Sequence, residues 1–227
     1  MAAVTLTTLR TRVRERADMV GSSFVGDTAT SLDAWINEAN QKLHGMLVEA
    51  LGEEYISSTA SLSIVAGTSD YAVPSGFFKL YGIDMTLGDY VYALKPYERA
   101  ERNLYRNGRN PGVRVRGFEV PRYSLVGSII RIYPTPQQVL TTTVLYAPEA
   151  TVLVNGSDTV NYANGWERFI VLDAAIQCLA KEESDVRVLT EERDKVVREI
   201  ELAKEQRDLS IMHRVVEVDY IDEDPLW

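Results

Sequence analysis

"RIYPTPQQVLTTTVLYAP", residues 131–148, is the stretch on which the fold class turns. Two runs rich in β-branched and aromatic residues flank a Pro-Thr-Pro corner, the pattern of a hairpin. The same period extends upstream. "TASLSIVAGTSDYAVP" (59–74) reads as two short strands around a glycine turn, and "FFKLYGIDMTLGDYVYAL" (77–94) as two more around Gly88. "KPYERAERNLYRN" (95–107) looks like a short helix with Pro96 near its start, and "GRNPG" (108–112) like a loop.

Outside this block the period is helical. Leu6, Leu9, Val13, Ala17 and Val20 recur on one face of a first helix. Thr30 is placed to cap a second, with Asp33 at its positive end. That helix carries the clearest apolar face of the chain, including Trp35, Ile36, Ala39, Leu43 and Leu47, and Gly52 ends it. Asn164 followed by Glu167 is a capping-box pattern for a third helix, with Trp166, Phe169 and Ile170 on its apolar face. A long fourth helix carries Val186, Leu189, Val196 and Ile200. Its charges include Glu191/Lys195 and Asp194/Arg198 at four-residue spacing. The expectation is an α+β chain. Four helices, over 5–20, 31–51, 165–182 and 185–208, form a small bundle, a β-rich insertion of hairpins occupies 57–148, and an extended arm follows over 209–227.

Composition narrows the function. Hydrophobic residues make up 45% of the 227, enough for a core. The single cysteine, Cys178, excludes an intrachain disulfide. The first residues lack the apolar run of a secretory signal, and no apolar stretch is long enough to span a bilayer, so a soluble, cytoplasmically made chain with no membrane partner is expected. "NGS" at Asn155–Ser157 reads as a polar turn. The net charge of −9 argues against coating nucleic acid with the whole surface. The charge is uneven, however. Arg99, Arg102, Arg106, Arg109, Arg114, Arg116 and Arg122 face only Glu101 and Glu119, whereas Glu217, Asp219, Asp222, Glu223 and Asp224 crowd the end of the chain without a base.

The chemistry-bearing residues are few. His44 lies off the apolar face of the second helix and reads as a solvated or boundary residue, and His213 has no partner at metal-ligand spacing. Cys178 reads as a buried free thiol. No phosphate-binding glycine loop, dinucleotide fingerprint or zinc motif occurs, and the terminal acids lack a cation-binding loop. No catalytic, cofactor-binding or metal residue is assigned, no cofactor is expected, and an enzyme is not indicated. The arginine segment 99–122, interleaved with Tyr97, Tyr105 and Phe118, can be read as a nucleic-acid contact or as an interface that pairs with acids of a neighbouring copy.

Four blocks in order carry a family resemblance. "SLSIVAGTSDYAVPSGFFKLYGIDM" (61–85) resembles the strand–turn–strand block of tailed-bacteriophage head-to-tail adaptor (connector) proteins, and "IIRIYPTPQQVLTTTVLYAPEA" (129–150) resembles their later hairpin. "LDAWINEANQKLHGML" (32–47) is similar to their second helix, and "WERFIVLDAAIQCLAKEES" (166–184) to the helix that re-enters the bundle. The resemblance implies a single adaptor domain over 1–208 and a structural virion protein at the head–tail junction. It implies a homo-oligomeric ring, usually of twelve copies, beneath the portal, with tail or nozzle proteins docked on the far side and double-stranded DNA passing through. Two interfaces are read from the residues themselves. In the arm, Val216, Val218 and Tyr220 alternate with acids, and Ile221, Leu226 and Trp227 add apolar bulk, the pattern of a strand docking on the portal or a neighbouring subunit. In the basic segment, Arg109, Arg114 and Arg116 are expected to face a neighbour or the DNA channel.

Overall fold

The computed structural model describes residues 3–21, 25, 31–53, 55–97, 114–115, 118–162 and 165–207. Among these residues it is a mixed α+β structure with four helices and several antiparallel sheets. The helices are α1 (Leu6–Arg16), α2 (Leu32–Leu51), α3 (Arg168–Lys181) and α4 (Arg187–Arg207). The Thr5 side chain caps α1 by accepting from the Thr8 amide at 3.2 Å. The expected Val20 end of that helix is not helical: Asp18 takes φ 55°, the chain turns, and Val20 is exposed. Thr30 and Asn164 lie outside the described residues. The residues found at the N-cap positions of α2 and α3, Ser31 and Glu167, make no side-chain cap bond.

Leu6, Leu9 and Val13 of α1, Ile36, Leu43 and Leu47 of α2, Phe169 and Ile170 of α3, and Val196 and Ile200 of α4 form one core. Trp166 is buried in it, whereas Trp35, expected to be buried, is half-buried with the Lys181 ammonium 5.9 Å from its ring centre. α2 and α3 run antiparallel at their contacts, and so do α3 and α4. Lys42 meets Asp173 and Trp35 meets Lys181 between α2 and α3, and Arg168 meets Glu199 between α3 and α4. The expected pairs Glu191/Lys195 and Asp194/Arg198 are not among the ion pairs formed by described residues. Arg193 pairs instead with its neighbour Asp194 and with Asp173 of α3, and two further pairs reach across from α4 to α1 and α3, Arg16–Glu192 and Arg168–Glu199.

Between α2 and α3 the chain builds a second, all-β core. β2 (Ser58–Ile64), β11 (Leu140–Pro148), β4 (Phe77–Leu87) and β5 (Tyr90–Ala93) form one sheet in that order; β3 (Asp70–Ala72), β10 (Ile129–Tyr133), β9 (Arg122–Val126) and β6 (Lys95–Pro96) form another. Ile64, Ile83, Met85, Ile130, Ile132 and Val144 fill the space they enclose. The hairpin β4–β5 around Gly88 (φ 61°) is as expected.

The opening stretch is not a hairpin. Its two halves, β10 and β11, lie in different sheets and never pair; β10 pairs with β3, and β11 with β2. The upstream block behaves alike, since β2 and β3 also part company. The two breaks lie side by side: the Gly67 amide donates to Pro136 O at 2.8 Å and the Ile132 amide to Ser69 O at 2.8 Å. One long two-stranded ribbon therefore bends from sheet to sheet at 65–69 and 134–139, which is how two packed sheets share strands at a corner. A proline-rich corner marks such a bend as well as a turn, so local pattern alone misassigned it. The segment from Lys95 also departs from expectation. Lys95–Pro96 is a short strand parallel to Arg122–Tyr123, not the start of a helix, and the rest of 98–107 lies outside the described residues. Two two-stranded pairs complete the list, β1 (Val4–Thr5) with β12 (Thr159–Val160), and β7 (Arg114–Val115) with β8 (Phe118–Glu119).

Candidate interaction surfaces

The joint between the two cores is made by one face of α2. Asp33, Asn37, Asn40 and His44 recur at four-, three- and four-residue spacing, which places them in a single stripe. The chain leaving β11 runs back along this stripe as an extended strap, and each side chain engages its backbone or an ordered neighbour. The Asn37 side chain accepts from the Leu153 amide at 2.7 Å and donates to Leu153 O at 2.9 Å. Asn40 donates to Thr151 O at 2.9 Å and accepts from the Tyr162 hydroxyl at 2.8 Å. His44 Nε2 donates to Pro148 O at 2.7 Å, so the neutral ring carries its proton there. At the other end Asp33 takes a bidentate bond from Arg10 of α1, at 2.7 and 2.6 Å.

His44 is thus a correction to the sequence reading. It is 5% exposed, because the strap covers a side of α2 that the apolar face does not. Burial pushes its pKa down, and the bond to Pro148 O partly offsets this. Phe78 of β4 stands edge-on to it at 5.4 Å, and the Tyr81 hydroxyl donates to Ile56 O at 3.0 Å, so the β core is seated on the C-terminal end of α2. Further along, the "NGSD" turn docks on the start of α1. Asp158 accepts from the Val154 and Asn155 amides, and Gly156 O receives the Thr7 amide and hydroxyl. A Cβ on Gly156 would sit 2.6 Å from Thr7 Oγ1, so the close approach requires glycine.

Outward-facing features are of three kinds. β2 and β5 are the edges of one sheet and β3 and β6 of the other. Apolar side chains stand exposed around the β core, among them Val65, Tyr90, Val91, Leu125 and Val139. Between α1, α3 and α4 runs a groove of about 620 Å³ with Val171, Leu172 and Val196 on its floor and the Arg16–Glu192 and Arg168–Glu199 pairs on its rim. A crevice of about 590 Å³ follows the strap beside Asn40, His44 and Tyr162.

Of the residues singled out in the sequence, Arg114 is described, in β7 opposite Glu119. Arg109, Arg116, Val216, Val218, Tyr220, Ile221, Leu226 and Trp227 lie outside the described residues. Cys178 is buried and its thiol is pushed up to about 11 by that burial, which keeps it protonated near neutral pH. Among the described residues no group of three or more His, Cys, Asp or Glu side chains is placed to hold a metal ion, and no helix is long and apolar enough to cross a membrane.

Open sheet edges, exposed apolar side chains and a salt-bridged groove are the surface vocabulary of interaction and assembly proteins. The model of the family described as SU10 adaptor protein matches residues 4–216, and the chain belongs to that family. It is a phage adaptor-type protein, a structural virion component whose partners are other phage head or tail proteins. A search of curated proteins finds no match to it.

Proposed function

We propose that this chain is a non-enzymatic subunit of a head-to-tail connector ring that docks beneath the portal and joins it to tail components around the DNA channel. The observation that carries the reading is family membership across 4–216, which spans both cores and the strap between them. The geometry supports it in two respects. A rigid joint between a helical unit and a β unit lets one end be held while the other engages a partner, and the α1–α3–α4 groove offers charges of both signs for repeated inter-subunit contacts. The C-terminal arm docks on the portal or the adjacent subunit, and the basic segment faces a neighbour or the passing DNA.

The test is mass by light scattering, alone and with the purified portal protein. A ring of about twelve copies, or a monomer that assembles only on the portal, is expected. A monomer that ignores the portal yet shifts DNA in a steeply salt-dependent way would replace this reading with a nucleic-acid-binding module acting through 99–122. Reversing charge at Arg109, Arg114 and Arg116 together should impair assembly or DNA passage while the isolated subunit stays folded.

A further inference from the structure

The edges of the two sheets are unequally protected. β3 has three residues and carries the Asp70–Arg131 pair, β5 has four residues, and β6 has two, one of them Pro96. β2 is the exception. Its seven residues, Ser-Thr-Ala-Ser-Leu-Ser-Ile, contain no charge, no proline and no glycine. Every one of them pairs with β11 on one side, and on the other side β2 has no strand among the described residues. Natural sheets blunt an open edge with a charge, a proline, a bulge or a short strand, and β2 uses none of these. Its inward face is also incompletely covered. Ile64 is fully buried, but Ala60 and Leu62, which pack against the same core, remain half-buried. Thr59, Ser61 and Ser63 stand exposed on the outer face.

The helical contacts fix where the chain goes after α4. Because α3 runs antiparallel to α2, Arg168 lies toward the C-terminal end of α2, the end from which the chain enters β2. The Arg168–Glu199 pair brings the last part of α4 to that same end. The last described residues of α4 therefore lie at the end of the helical unit where the β unit is seated. At roughly 3.3 Å per residue, residues 208–214 can reach about 23 Å, and after them comes "VVEVDYI" (215–221), a segment as long as β2. Val216, Val218 and Tyr220 alternate with Glu217 and Asp219. Laid along β2, the apolar set falls beside Ala60 and Leu62 over the open margin of the core. The acids fall beside the hydroxyls of Thr59, Ser61 and Ser63, on an edge that has no acid to repel them.

We propose that in the unassembled subunit the chain's own residues 215–221 add to the outer edge of β2 as a fifth strand, running parallel to it because the arm arrives from the end where β2 begins. Tethering makes this an intramolecular event at high effective concentration, and it covers the one long unguarded edge among the described strands until a partner takes the arm. The inference concerns the single subunit and stands whether or not the ring reading holds.

The experiment is amide hydrogen exchange on the full chain at a concentration where it is monomeric, wild type against Val218→Pro. Proline removes a ladder donor and breaks strand pairing. The outward-pointing amides of β2 should exchange at least tenfold more slowly in the wild type, at a rate independent of protein concentration, while amides of α2 and α3 are unchanged. Equal exchange in the two proteins overturns the proposal. Protection that grows with concentration overturns it too, and assigns the edge to the arm of a second copy.

Discussion

The helical unit and the β unit each contain a bidentate arginine–aspartate pair, and the two are alike in everything except their surroundings. Arg10 holds Asp33 at 2.7 and 2.6 Å, with the aspartate side chain 9% exposed. Arg131 holds Asp70 at 2.7 and 2.7 Å, with the aspartate side chain 41% exposed. Distance sets the bare attraction, but water sets how much of it survives. The buried pair fastens one helix to another. The exposed pair joins residues that the ladder of β10 and β3 already places opposite each other. The contrast extends to the whole of each region. The helical unit directs polar side chains into long-range ties, α1 to α2 and α2 to the strap, whereas the β unit relies on backbone ladders around an apolar centre.

The sharpest way to break the comparison is to damage each core in turn. Leu43→Ala and Ile132→Ala each remove a fully buried side chain and should cost ~2–5 kcal/mol in urea unfolding. If the cores are distinct, amides of the damaged unit should lose more exchange protection than those of the other. Equal loss in both would mean a single cooperative unit. Next in size, Arg10→Ala leaves the Asp33 carboxylate without its bidentate donor and should cost about 1.5–3 kcal/mol. Arg131→Ala should produce a loss too small to resolve in the same titration, and comparable losses would show that burial does not separate the two pairs. Smaller still, Asn37→Ala strands the Leu153 amide and carbonyl and should cost about 1–2 kcal/mol, with faster exchange confined to the strap.

Periodicity made the helices legible because each buries one stripe: Leu6, Leu9 and Val13, or Ile36, Leu43 and Leu47, could be read before any contact was known. The β residues were legible as β but their partners were not, since strand pairing is non-local and β10 and β11 look the same whether they pair with each other or with β3 and β2. The joint was missed for a related reason. Asn37 and Asn40 are ordinary surface residues in a helical pattern, and His44 falls outside the apolar face; only the strap makes that side an interior. The polar spacing of Asp33, Asn37, Asn40 and His44 was the available signal, because a repeated amide stripe beside an apolar one marks a helix that serves two neighbours. The basic segment and the arm carry charge and alternation, a pattern that names a chemistry without naming the surface it meets.

The smallest effect separates the regions by pH. His44 has its pKa lowered by burial, so the folded chain resists a proton that the unfolded chain accepts near pH 6.5. Its contribution is therefore constant above that pH and turns destabilising as pH falls from about 7 to 5. Asp70 has its carboxyl lowered, chiefly by the Arg131 hydrogen bonds, which outweigh an opposing desolvation and are helped by the Ser69 hydroxyl. Its contribution is present above about pH 4, the usual aspartate value, and is lost only as pH falls further through the folded pKa. The two acid steps thus fall in different windows, one at the joint and one on the β surface. Melting temperatures of wild type, His44→Gln and Asp70→Asn across pH 3–8 should show it. The slope between pH 7 and 5 should flatten in His44→Gln and persist in Asp70→Asn, and Asp70→Asn should diverge from wild type only in the curvature below pH 4. A wild-type slope between pH 7 and 5 that survives His44→Gln would mean that the strap bond is not what senses the proton, and the joint would lose its claim to be the pH-sensitive region of the molecule.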